Sequence, residues 1–152
     1  MTKEDFEKIK KITNEFFNFI DPFVKITFLP PKQETIFLKV ESKEPQILIG
    51  ENGKSLFSIQ HLLKAILKRK IKDHFFIDVD INNYKQNKIK YLKELAKNLA
   101  DKVSLTKKEE ILPPMPPYER RIIHLELAER GDVTTQSVGR EPKRRVVIKP
   151  YP

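Results

Sequence analysis

Two short patterns in this 152-residue chain bring together residue types able to hold phosphate. The first is Arg120-Arg121-Ile122-Ile123-His124, where Arg120 and His124 stand four apart. On a helix that spacing places the two side chains over each other on one face. Arginine offers a planar fork that fits a phosphate, and histidine adds a hydrogen bond or a stacking surface. At about 100° per residue, Arg120, Arg121, His124 and Ala128 share one sector, and Tyr118, Ile122 and Leu125 point elsewhere. On that projection the basic stripe need not be buried.

The second pattern is Ile49-Gly50-Glu51-Asn52-Gly53-Lys54, which holds two of the chain's four glycines. Glycines at this spacing let the backbone turn tightly and approach a ligand closely. Amides at the start of a following helix, at the positive end of its dipole, favour an anion. A plain link between two helices would use the same spacing. A third basic feature is the segment 140–152, where Arg140, Lys143, Arg144, Arg145 and Lys149 face one acid, Glu141.

Composition narrows the chemistry. With no cysteine there are no thiolate nucleophiles, disulfides or thiolate metal sites. His61, His74 and His124 have no metal-ligand spacing, so neither a metal nor another cofactor is expected. General acid–base cleavage by Arg120 and His124 needs a second positioned base or a metal held by carboxylates. Glu119 and Glu126 fall on another side of the helix. Gly53-Lys54-Ser55 imitates the end of a P-loop, but Leu48 stands where the first glycine belongs. A non-catalytic protein is expected.

Thirty Lys+Arg against 21 Asp+Glu give a net charge of +9, the balance of a protein with a polyanionic partner. Residues 1–82 hold 14 basic and 12 acidic side chains, and residues 83–152 hold 16 and 9, so the excess sits in the second part. No stretch is long and apolar enough for a membrane span. The charged N-terminus has no signal-peptide apolar region, which points to the cytoplasm.

The elements that must position these residues follow from hydrophobic spacing. Phe6, Ile9, Ile12, Phe16, Phe17 and Ile20 predict a helix that Asp21-Pro22 stops. Val24, Ile26 and Phe28, then Ile36, Leu38 and Val40, alternate as strands around Pro30-Pro31. A short helix over 44–49 reaches Gly50, and Leu56, Ile59, Leu62, Leu63, Ile66 and Leu67 mark a longer one to about Lys70. On that longer helix Lys54, Phe57, His61, Lys64 and Lys68 share a face opposite the leucines: a backbone track for nucleic acid, an ordinary solvent face with one exposed Phe, or a partner surface. Phe75, Ile77, Val79 and Ile81 complete a three-stranded α-β-β-α-α-β domain.

Ile89, Leu92, Leu95, Ala96, Leu99 and Val103 open the second part as a helix. A short extended piece over 109–112 leads into Pro113-Pro114-Met115-Pro116-Pro117, which introduces a helix over 118–130. Two strands, 133–139 and 144–149, turn through Arg140-Glu141-Pro142. The fold class is α+β, with a domain over 1–82 and a smaller one of helices on a three-stranded sheet over 83–152.

The glycine loop inside α-β-β-α-α-β resembles a type II KH domain, a single-stranded RNA-binding module whose GxxG loop clamps the nucleotide backbone. By that resemblance Gly50, Glu51, Asn52 and Gly53 form the clamp with Lys54 beside it. KH loops usually place a basic residue between the glycines, where this chain has Glu51 and Asn52. The proline-led Arg120/His124 helix and the strand Arg144-Arg145-Val146-Val147-Ile148 look like the small nucleic-acid-binding domain named for its R-x3-H motif. The two in tandem resemble the bacterial Jag family of SpoIIIJ-associated, KhpB-like proteins. Longer members carry a further N-terminal domain, whose role does not transfer to these residues.

The resemblance implies a non-catalytic protein that binds single-stranded RNA, with single-stranded DNA as the alternative ligand. Arg120, Arg121, His124, Lys143, Arg144 and Arg145 would supply the electrostatic grip of the second domain. It also implies post-transcriptional regulation linked to cell division, envelope synthesis or sporulation, with a small KH-domain protein or a second copy as partner. The alternative is an interaction module for a protein or membrane surface that uses the same basic face without specific RNA recognition.

Overall fold

Thr2 starts the first helix, because its hydroxyl accepts the Asp5 amide at 3.1 Å while the Asp5 carboxylate accepts the Thr2 amide at 3.2 Å. In the computed structural model, which describes residues 1–152, this helix α1 runs Lys3–Ile20 and buries Ile9, Thr13 and Phe17, each four residues from the next. Strand β1 (Lys25–Phe28) pairs antiparallel with β2 (Thr35–Glu41), and β2 pairs parallel with β3 (Phe76–Ile81). The sheet order is β1-β2-β3. A parallel neighbour demands a crossover, here α2 (Pro45–Ile49), a tight turn over Glu51–Gly53, and α3 (Lys54–Lys68).

Alternation decides the covered face of this sheet. Ile36, Leu38 and Val40 on β2 and Ile77, Val79 and Ile81 on β3 are buried, forming one core with Ile9, Phe17, Leu56, Leu63 and Leu67. The expected stripe on α3 is trimmed by one member, since Leu62 is exposed. The Asn82 side chain accepts the Ser42 amide at 2.8 Å and donates to the Ser42 carbonyl at 2.9 Å, joining the ends of the two parallel strands.

The chain divides into two compact units, Met1–Lys85 and Gln86–Pro152. The boundary falls after Lys85 rather than after Asn82, because Tyr84 packs on the first core and the Lys85 amide donates to Asp80 at 2.9 Å. Helix α4 (Tyr84–Thr106) therefore begins in the first unit, and its Leu92, Ala96, Ala100 and Val103 belong to the second core.

In the second unit β4 (Glu110–Ile111) precedes α5 (Pro117–Leu127), followed by β5 (Val133–Val138) and β6 (Arg145–Pro150). The sheet order is β4-β6-β5 with antiparallel pairing throughout. Proline at the first helical position fits α5, where no intrahelical donor is needed. Helix α5 ends three residues before the expected Arg130, whose guanidinium instead pairs with Asp101 and Asp132. Leu112, Met115, Ile123, Leu127, Val133, Val146 and Ile148 close the core. The whole is α+β, and no helix is long and apolar enough to cross a membrane.

Candidate nucleic-acid interface

Both loop glycines answer first to their own chain. Gly50 has φ +71° and Gly53 φ +77°, in the left-handed region that favours glycine. A Cβ on Gly50 would stand 2.3 Å from the Ser55 hydroxyl oxygen, and one on Gly53 would stand 3.0 Å from the Tyr84 ring and 3.3 Å from the Phe57 ring. Asn52, at φ 53°, is of the type that tolerates the same region. What the loop turns to solvent is Glu51, Asn52 and Lys54.

The polar face of α3 is partly enclosed. Lys54, His61 and Lys68 are exposed, but Phe57 is half-buried, with the Lys85 ammonium 5.3 Å from its ring centroid. That ammonium donates to Gln60 at 2.7 Å and pairs with Asp78. Lys64 lies 5.0 Å from the Phe76 ring centroid.

Helix α5 turns Arg120 toward the core, although the projection does not require its basic stripe to be buried. Arg120 is 8% exposed and shares its face with the buried Ile123 and Leu127. Its Nε donates to the Met115 carbonyl at 3.2 Å and its Nη2 pairs with Glu141. Leu125, which the projection sets apart from the basic stripe, is 64% exposed. The turn-by-turn spacing 120, 123, 127 carried this signal, and the charge of Arg120 masked it.

His124 is half-buried against β5, with Nδ1 2.7 Å from the Thr135 hydroxyl and Nε2 2.8 Å from the Ser137 hydroxyl. Burial, then the nearby Arg120 charge, hold its pKa below the ordinary histidine value. Both motif residues thus lie on the sheet side of α5, while Arg121 is exposed.

The turn between β5 and β6 sorts its cations. Arg144 donates to the Gly139 carbonyl at 3.0 Å and is half-buried, as is Arg145, whose Nε lies 3.4 Å from the Lys143 carbonyl. Arg140 and Lys143 are exposed. Sequence reasoning did not single out Thr135 and Ser137 as partners of His124, although their spacing of two puts them on one strand face. It also missed Tyr84 and Glu141, because long-range partners leave no local pattern. No group of three or more acidic or histidine side chains converges to hold a metal ion.

Residues 90–150 match the R-x3-H domain family. The chain is 43% identical over 102 residues to the RNA-binding protein KhpB of Clostridium symbiosum, covering 67% of this chain and 46% of that protein. It is 35% identical over 111 residues to the protein of that name from Lactiplantibacillus plantarum (73% and 34%), and 33% identical over 118 residues to that of Bacillus subtilis (76% and 57%). These are two-thirds to three-quarters of this chain, which itself spans about a third to just over half the length of the curated relatives it matches. The fold and the site define a two-unit α+β protein with an R-x3-H domain. The chain belongs to the bacterial Jag family of KhpB-like proteins, whose matched members are named for RNA binding rather than for catalysis.

Proposed function

We propose that the chain is a non-catalytic RNA-binding protein that prefers single strands and takes most of its affinity from the second unit. The observation that carries this is the β5–β6 turn. Its Arg140 and Lys143 face solvent while its one acid, Glu141, is paired with Arg120. Cations so placed neutralise phosphates and release counterions, a contribution independent of sequence. Arg121, Arg144 and Arg145 extend that basic surface, and His124 belongs to its frame.

The first unit reads as a type II KH domain. Its α-β-β-α-α-β order, the parallel β2–β3 pair and the glycine loop between α2 and α3 support that reading. Gly50, Glu51, Asn52, Gly53 and Lys54 would then meet the strand, with Glu51 weakening the grip. The family suggests a role in the cytoplasm in post-transcriptional control of division, envelope synthesis or sporulation, with a small KH-domain protein or a second copy as partner.

The test is competition at physiological salt between a single-stranded RNA and a duplex of equal length. The single strand should win, because a KH groove reads unstacked bases that a duplex hides. Equal competition would remove the KH reading. Equal displacement by heparin and by anionic vesicles would instead favour a basic interaction surface without RNA recognition.

A further inference from the structure

Arg120 sits at the centre of a closed set of contacts around the basic turn. From its Nε it holds the Met115 carbonyl at 3.2 Å. The Met115 amide in turn donates to the Arg144 carbonyl at 3.2 Å, at the far arm of the turn. From its Nη2 it holds Glu141, at the near arm. Within the turn the Lys143 amide donates to the Arg140 carbonyl at 2.8 Å, and Arg144 closes onto the Gly139 carbonyl. One guanidinium therefore ties both arms of the segment that carries Arg140, Lys143, Arg144 and Arg145.

Charge explains why the tie is needed. Between residues 140 and 145 there are four cations and one acid. Like charges so close repel, which works against a compact turn. Glu141 gives the turn one attractive contact to α5, and the side chain that meets it is 10% exposed, which leaves little room for a phosphate. Arginine suits the place because its planar fork serves a carbonyl and a carboxylate at once.

We infer that Arg120 is a positioning residue, which acts on RNA through Glu141 and the cationic turn and does not itself touch phosphate. This inference rests on the RNA-binding reading above, yet part of its test is independent of RNA. Glu141 is the informative partner, because two accounts give opposite signs. If Arg120 were a phosphate ligand, Glu141 would be its competitor, and Glu141→Gln would tighten binding. As an anchor, Glu141→Gln weakens binding even though it removes a negative charge from the interface.

The experiment compares the full chain with Arg120→Gln, Glu141→Gln and the double variant, using single-stranded oligouridine as the probe. Each single variant should weaken binding roughly threefold to tenfold, and the double variant should be no worse than either one, as coupled partners require. Amide hydrogen exchange without RNA should show protection lost over residues 139–144 in both single variants. Tighter binding by Glu141→Gln overturns the proposal, as do additive losses or unchanged protection of the turn. Glu141 is half-exposed, so its variant keeps the test alive if Arg120→Gln lowers Tm. Lys143→Ala serves as the control. If it leaves oligouridine binding unchanged, the RNA reading of the turn fails, while the exchange measurement still decides the Arg120–Glu141 tie.

Discussion

The ring of Tyr84 lies 3.0 Å from the point where a Cβ on Gly53 would stand. With φ at +77°, Gly53 is glycine for two reasons, its backbone conformation and the approach of this aromatic from the first turn of α4. The conformation alone costs a side-chain-bearing residue about 1–3 kcal/mol. Gly53→Ala should therefore lower the unfolding free energy by an amount in that range, read as a lower denaturation midpoint. Asn52→Gly, in the same loop but exposed and already left-handed, should cost far less. Equal midpoints for Gly53→Ala and the wild type would show that Tyr84 and the backbone yield freely.

The same geometry makes Gly53→Asp a poor probe of RNA binding, since stability and binding would fall together. Glu51 is the clean position. It is exposed and outside the left-handed residues of the loop, so Glu51→Lys leaves the backbone alone. Replacing an acid with a base beside a phosphate should tighten single-stranded RNA binding. It should also steepen the plot of log affinity against log salt by about 0.7 per phosphate engaged. An unchanged slope would mean that the loop does not meet the strand.

The elements were legible because their apolar residues repeat. Ile36, Leu38 and Val40 alternate, and Ile9 and Phe17 stand two turns apart, so burial follows from spacing alone. The site was less legible, because its key contacts join residues far apart in the chain. Nothing near Gly53 announces Tyr84, and nothing near Arg120 announces Glu141. Charge also misled. Arg120 occupies a core position one turn before Ile123, which a residue's polarity hides unless its partner is known. The resemblance named the residues of the R-x3-H motif, and the packing of α5 against the sheet decides which way they face.

His124 makes stability depend on pH. Enclosed between α5 and β5, it meets Thr135 and Ser137 on the strand and the Arg120 charge on its own helix. Its pKa in the fold is lowered, so the folded protein binds this proton less readily than the unfolded chain. That contribution is full above the ordinary histidine value of about 6.5 and is lost as pH falls through the folded value. Thermal melting of the wild type should therefore decline between neutral pH and about pH 5 more steeply than that of His124→Gln. Parallel curves would show that the ring titrates as it would in solvent.

The strongest electrostatic test concerns which cations of the basic turn reach RNA. Sequence alone favours Arg144 and Arg145, the densest pair. In the structure both are half-buried, and Arg144 holds the Gly139 carbonyl, so replacing them would loosen the turn as well as remove charge. Arg140 and Lys143 are exposed, and their side chains can go without loss of a partner that holds the turn. If each neutralises one phosphate of a single strand, the double change to alanine should flatten the salt slope by roughly 1.4, since each contact contributes about 0.7. Tm should stay close to the wild type, because exposed charges contribute little to stability. Arg144→Ala should do the reverse in part, lowering Tm while also weakening binding. The salt slope and the melting curve, taken on the same samples, separate the two roles. A full slope in the Arg140 and Lys143 double variant would move the phosphate contacts away from this turn, leaving Arg121 on α5 as the next exposed cation of the motif to test.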